Sequence, residues 1–256
     1  SAAAGLDVCQ AADTTPPASH PMSTVSDHLP TLARGRWFTG LPAELAQALV
    51  GMAQLRTLQA GEALFLRGDP ACGLYAVVRG AVDISGAGGH SDQGRAALLT
   101  RLEPPAWFGE IALFDRAVRT HDARAAAACS LVHVPQEPLL AWLARYPEHW
   151  HALALLLTDK LRTAFIAIEE LALMPAPHRL ARRLVMMAEG YGQWSGSAPA
   201  SRRSIALSQE DLSLMLSISR QTANQILRDL QARGLVRVHR GAIEICDLDG
   251  LRAAGG

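Results

Sequence analysis

The sequence predicts an α+β chain: an antiparallel β-sheet half, a long helix, and a smaller helical half closed by a hairpin. Three observations predict it. Between about 55 and 135 the text consists of short apolar runs broken by glycine and proline, among them LQAGEALFLRGDP, GLYAVVRGAVDIS and ARAAAACSLVHVP. That is the spacing of an antiparallel sandwich or barrel. From Glu137 to Leu173 the pattern turns helical, and beyond Met174-Pro175-Ala176-Pro177 come further amphipathic helices and a hairpin.

Length and composition bound the rest. At 256 residues and 49% hydrophobic, the chain has room for two ordinary domains. Cys9, Cys72, Cys129 and Cys246 lie far apart with no C-x-x-C pair, so neither a disulfide framework nor a metal or iron-sulfur cluster is indicated. This reads as a reducing, cytoplasmic chain. No apolar run reaches the roughly 18 residues of a membrane span. The opening SAAAGLDVCQAADTTPPASHPMS lacks the basic and apolar regions of a signal peptide, and residues 1–30 read as a flexible tail.

Within the sheet half, Gly61, Gly68, Gly73 and Gly80 punctuate the strands where turns need positive φ. The stretch Phe108 to Thr120, FGEIALFDRAVRT, brings a glycine, a carboxylate and an arginine together where a small anion fits. Arg119 has two readings: a guanidinium for a small anion, or an internal partner of Glu110, Asp115 or Asp122.

In the helical stretch Leu153, Leu157, Leu161, Ala164, Ile168 and Leu171 recur at heptad-like spacing. Such a stripe serves either a core or a dimer seam. The prolines at 175 and 177 remove amide donors and end the helix, which makes 174–177 a hinge.

The C-terminal text is LSQEDLSLMLSISRQTANQILRDLQARGLVRVHRGAIEICD. Ser208 with Asp211 three residues on suits a capping box, opening a helix that runs to about Leu216. Ser219 caps a second helix whose apolar face is Ile226, Leu227 and Leu230. Two helices on a short turn form a helix-turn-helix, and the hairpin around Arg240-Gly241 supplies a wing. Charge agrees: residues 1–173 carry 13 basic against 17 acidic side chains, residues 174–256 carry 11 against 7. A basic module on an acidic one suits a DNA-binding unit attached to a sensor.

These segments, LxxGExLFxxGDP, LYxVxxG, FGExAL with an arginine nine residues after its glutamate, and SRQT, occur in one order from Leu55 to Cys246. In that order the chain resembles the CRP/FNR family of bacterial transcription regulators. The resemblance implies an N-terminal antiparallel β-roll, jelly-roll-like, of the cyclic-nucleotide-binding type over residues 31–147. It also implies a dimerisation helix over 148–173, the hinge, and a winged helix-turn-helix domain over 178–256. It turns the stripe into an expected homodimer seam.

The resemblance also implies site residues. For an effector these are Gly109, Glu110, Ile111 and Ala112, with Glu110 accepting a ribose hydroxyl, Arg119 pairing with a cyclic phosphate and Thr120 donating to it. Two departures from the family pattern stand beside these: His121 and Asp122 follow the arginine, and Ala164-Phe165 replaces the Thr-Ser pair that contacts adenine in cAMP-responsive members. Phe165 is left to stack on a base, and cAMP and cGMP are both open as effectors. For DNA they are Arg220 reading guanine, Gln221 and Gln225 reading other base edges, and Ser219, Thr222 and Arg228 on phosphates. Implied partners are double-stranded operator DNA with half-sites about 34 Å apart, a second copy of the chain, and RNA polymerase.

Three other readings compete. One is a ligand-independent DNA binder with an empty or repurposed pocket. Another is a cyclic-nucleotide-binding subunit without DNA binding, which the helix-turn-helix opposes. The third is a cupin-like metalloenzyme, for which His90, His121 and His133 offer no H-x-H pair. No catalytic or metal-ligating residues are expected.

Overall fold

The computed structural model describes residues 24–86, 97–192 and 204–256. Three short helices open it, α1 (Leu29–Leu32), α2 (Arg36–Thr39) and α3 (Ala43–Met52). Then come β1 (Gln54–Leu58), β2 (Ala63–Phe65), β3 (Gly73–Arg79), β4 (Val82–Ser85), β5 (Leu98–Leu102) and β6 (Trp107–Phe108). The short helix α4 (Ile111–Asp115), strands β7 (Asp122–Ala125) and β8 (Cys129–Pro135), and helix α5 (Gln136–Arg145) complete the roll.

Every strand pair is antiparallel, in two four-stranded sheets ordered β1-β8-β3-β6 and β2-β7-β4-β5. Strand β3 shows why the text here is apolar without alternation. Side chains of a strand alternate between faces, and both faces of β3 are covered. Leu74, Ala76 and Val78 point to a core shared with the N-terminal helices and α5, while Tyr75 and Val77 point between the sheets.

Residues 24–30 are not a tail. Thr24 and Asp27 form a capping box over the 3-10 turn Val25–His28, α1 follows directly, and Val25 and Leu29 pack on the roll's core. Burying these apolar side chains outweighs the cost of ordering the segment. Residues 1–23, with Cys9, lie outside the described residues, as do 87–96 with His90, and 193–203.

The long helix α6 (Trp150–Leu173) leaves the roll and divides the heptad stripe in two. Leu153 is fully buried in the roll's own core beside Ala152 and Leu156. The expectation of one continuous seam is therefore corrected: in the first turns of α6, Leu153 and Leu156 belong to the core of their own roll. Leu161, Phe165, Ile168 and Leu171 are exposed along the outer part.

After Met174-Pro175 come α7 (Ala176–Ala188), β9 (Ser204–Ile205), α8 (Gln209–Leu216), α9 (Arg220–Ala232), β10 (Val236–His239), β11 (Ala242–Ile245) and α10 (Leu248–Ala254). Strands β10, β11 and β9 form a small sheet over a core of Leu180, Leu184, Leu212, Ile226, Leu227 and Ile243. Across the break, buried Glu170 of α6 pairs with Arg182 Nε of α7 at 2.8 Å.

Candidate functional site

The candidate effector site lies where the turn after β6 meets the loop before β7. Gly109 has φ +97, a conformation that side chains other than glycine rarely adopt. A Cβ there would sit 2.8 Å from the Gly73 carbonyl oxygen and 3.2 Å from Arg119 Nη1. The loop is pinned by its backbone, since Gly68 N–H donates to the Arg119 carbonyl and Arg119 N–H to the Asp69 carbonyl, both at 2.8 Å. The LFLRGDP turn, through Gly68 and Asp69, thereby holds the arginine in place.

Arg119 is only 4% exposed. Its Nη2 donates to the Gly73 carbonyl at 2.9 Å and to Cys72 Sγ at 3.3 Å, and its Nη1 to the Gly109 carbonyl at 3.2 Å. The guanidinium lies 4.3 Å from the centre of the Phe65 ring and 5.8 Å from that of Tyr75. Its Nε is buried without an acceptor, and among the described residues no carboxylate pairs with it. The internal-partner reading of Arg119 with Glu110, Asp115 or Asp122 is therefore not realised.

Glu110 is 1% exposed, and its partner is a residue the sequence reading missed. Lys160 of α6 donates from Nζ to Glu110 Oε2 at 2.5 Å. Only helical phase could have flagged it, because Lys160 stands one turn before Ala164, on the same face of α6. Asp115 caps its own turn at Ala117 N–H, and Asp122 accepts from Arg67 N–H at 2.7 Å. Thr120 is exposed, with its hydroxyl 2.8 Å from His121 Nδ1. Ala112 is buried and Ile111 exposed on α4. Phe165 is 62% exposed and stacks on no ring among the described residues.

Around the arginine, His133 stacks on Tyr75 at 4.5 Å and donates from Nε2 to the Cys72 carbonyl at 3.0 Å. Burial pushes the His133 imidazole below its usual value of 6.5, with Arg56 and Arg119 adding to the effect against the bond to Cys72. His121 is lowered by burial and by Arg67, against Asp122. Among the described residues no group of three or more His, Cys, Asp or Glu side chains is arranged to hold a metal ion, and no helix is long and apolar enough to cross a membrane.

In the C-terminal unit, Ser208 Oγ accepts from Asp211 N–H at 3.1 Å and the Asp211 carboxylate accepts from Ser208 N–H at 3.1 Å, closing the capping box of α8. Ser219 caps α9 by accepting from Thr222 N–H at 2.9 Å, and the two hydroxyls lie 2.8 Å apart. Ala223, Ile226, Leu227 and Leu230 are buried, which turns Arg220, Gln221, Thr222, Gln225 and Arg228 to solvent on one exposed face. Gln225 links Arg228 (3.0 Å) to Asp229 (2.9 Å) along that face.

A family model described as a cyclic nucleotide-binding domain matches residues 55–146, and one described as a Crp-like helix-turn-helix domain matches 178–254. The chain belongs to the CRP/FNR family of transcription regulators. Among its relatives, a CRP-like cAMP-activated global transcriptional regulator of Mycobacterium tuberculosis is 30% identical over 86% of this chain and 96% of its own length. A cyclic AMP receptor protein of Thermus thermophilus is 29% identical over 81% and 91%. A solved CRP/FNR family regulator from Thermus thermophilus superposes with a TM-score of 0.62 at 25% identity, covering 79% of this chain and 98% of that one. FixK2 from Bradyrhizobium japonicum shares the fold, with a TM-score of 0.67 at 20% identity over 80% and 98%. As a CRP/FNR member this chain is a DNA-binding transcription regulator with an antiparallel cyclic-nucleotide-type domain, a long helix and a C-terminal helix-turn-helix.

Proposed function

We propose that the chain acts as a homodimer on near-palindromic operator DNA, with an anionic effector, a cyclic nucleotide, held in the roll by Arg119 and Glu110. One observation carries the effector reading. Arg119 is a buried guanidinium whose protein partners are two carbonyls and a thiol, and whose Nε has no acceptor. A buried cation without an anion is costly, and a phosphate relieves it in the geometry a guanidinium fork matches. Gly109, Ile111 and Ala112 form the wall beside it, Glu110 takes a sugar hydroxyl in exchange for Lys160, and Thr120 exchanges His121 for the anion. The names of the mycobacterial and Thermus relatives support cAMP as the first nucleotide to try.

The exposed outer half of α6, with Leu161, Phe165, Ile168 and Leu171, supports a seam with a second copy, and the exposed ring of Phe165 is the residue on it that stacks on a base in this reading. In that dimer Arg220, Gln221 and Gln225 read base edges, while Ser219, Thr222 and Arg228 meet phosphates, and the bound regulator meets RNA polymerase on the same DNA. Effector binding shifts the population between two arrangements of the recognition helices.

The test is fluorescence polarisation on a library of near-palindromic DNA at fixed salt, with cAMP, with cGMP and with neither, on wild type and Arg119→Ala. A nucleotide-dependent rise in affinity that Arg119→Ala abolishes is the expected result. Equal binding in every arm refutes the effector half and leaves a constitutive regulator.

A further inference from the structure

We infer that Arg101 is a positioning residue that seats the DNA-binding unit on the β-roll. Strand β5 ends its sheet, so among the described residues its outer edge carries backbone groups with no strand beside them. Such edges are covered or blunted in stable proteins. Here the C-terminal unit does the covering: Leu98, at the start of β5, is buried within that unit's own apolar core.

Arg101, three residues on, makes the directional contact. Its cross-strand partner is Asp83, whose carboxylate accepts from Nε at 2.7 Å and from Nη2 at 2.8 Å. The same guanidinium reaches into the other unit, donating from Nη1 to the Ala206 carbonyl at 2.7 Å and from Nη2 to Asp211 Oδ2 at 3.3 Å. The side chain is 10% exposed. One planar fork thus binds a carboxylate on the roll, and a carbonyl and a carboxylate on the helix-turn-helix.

The place of Asp211 gives this contact its consequence. Its Oδ2 also accepts the Ser208 amide and so closes the first turn of α8. Helix α8 packs against α9, which carries the exposed polar face. Asp83, Arg101, Asp211, α8 and α9 therefore form a continuous path from the sheet to the recognition helix. Apolar burial of Leu98 holds the units together without choosing an angle, whereas charge-assisted hydrogen bonds with a fork geometry do choose one. A tilt of α9 relative to the roll must break this contact, as it must also strain the Glu170–Arg182 pair at the hinge. The inference rests on the DNA-binding half of the proposed function and is independent of any effector.

Hydrogen exchange on the full-length protein, read by mass spectrometry, tests it with Arg101→Gln, Asp211→Asn and the double variant. Asp211→Asn leaves the Asp83–Arg101 pair whole, so it separates seating from sheet stability. Both single variants are expected to speed exchange in 98–102 and 204–212 by about tenfold or more, with β3 and β8 unchanged. The double variant is expected to match Arg101→Gln alone, because that substitution already removes the bond to Asp211. Polarisation on operator DNA is expected to shift in the same variants. Wild-type exchange in Asp211→Asn, or acceleration spread through the whole roll in Arg101→Gln, overturns the inference. Failure of the wild type to bind DNA strikes the proposed function instead and leaves the exchange result standing.

Discussion

Lys160 of the long helix holds the carboxylate of Glu110, a residue buried in the roll fifty positions earlier. The pair ties α6 to the turn that opens α4, so the turn beside Gly109 and the long helix share one bond. Lys160→Met leaves a buried carboxylate without its cation. Breaking a fully buried pair costs about 3–5 kcal/mol and a surface pair under about 1, and the partly exposed lysine places this one at roughly 1–3 kcal/mol. The midpoint of urea unfolding at pH 7 measures it, and an unchanged midpoint would show that Glu110 finds another donor.

Gly109→Ala is expected to damage the pocket from its backbone. The residue is held at φ +97, and the new methyl meets the Gly73 carbonyl, the same oxygen that accepts from Arg119. Strain of this kind costs about 1–3 kcal/mol. Thermal unfolding and nucleotide titration are both expected to weaken; a variant equal to wild type in both would mean the turn flips without consequence.

Acid is expected to destabilise the roll. His133 and His121 both sit below their usual 6.5 in the folded chain, chiefly through burial. The unfolded chain therefore takes up protons that the folded chain refuses, and stability is full above about pH 6.5 and falls as pH drops through the lowered folded values. A proton added to His133 lands on Nδ1, which is buried without an acceptor. Melting curves from pH 8 to 5.5 on wild type and His133→Gln check this: the variant should lose less on the acid side, and parallel curves would assign the loss elsewhere.

Arg220→Ala is expected to cut operator affinity about 5- to 150-fold, the equivalent of roughly 1–3 kcal/mol for a bidentate base contact. Specificity at one base pair should relax with it. Arg228→Ala should weaken all sequences alike and lower the salt dependence by about one unit. Competition with single-base operator variants distinguishes the two behaviours, and uniform weakening by both would place Arg220 on a phosphate.

Ile168→Glu on the exposed part of α6 is expected to yield a folded monomer, with sedimentation velocity as the readout. Leu153→Glu should instead unfold the roll, since that leucine belongs to the core of its own chain. A dimeric Ile168→Glu would move the seam to another face.

Much of the architecture was legible in the text. The period of the helical stretches, the Ser208 and Ser219 caps and the glycines of the strand turns are local properties, set by side-chain geometry within a few residues. Arg119 and Glu110 stood out in the text for the same reason, lying in one short segment, and both are buried side by side with Gly109 in the fold. The partition of the α6 stripe was not, because Leu153 and Ile168 look alike until a sheet lies against one of them. Residues 24–30 read as tail because their apolar side chains are sparse; contact with the roll orders them.

By itself the sequence determined the division into a strand-rich half, a long helix and a helical half closed by a hairpin, the Ser208 and Ser219 caps, and the polar face of the recognition helix. Each follows from backbone sterics and hydrogen bonding between near neighbours. Only the tertiary structure decided which charge meets which. Arg119 goes to carbonyls and a thiol, Glu110 to Lys160, and Arg101 to carboxylates on two units. Partners of buried charges are chosen by packing across tens of residues, where desolvation leaves only the pairings that the fold brings within hydrogen-bond reach.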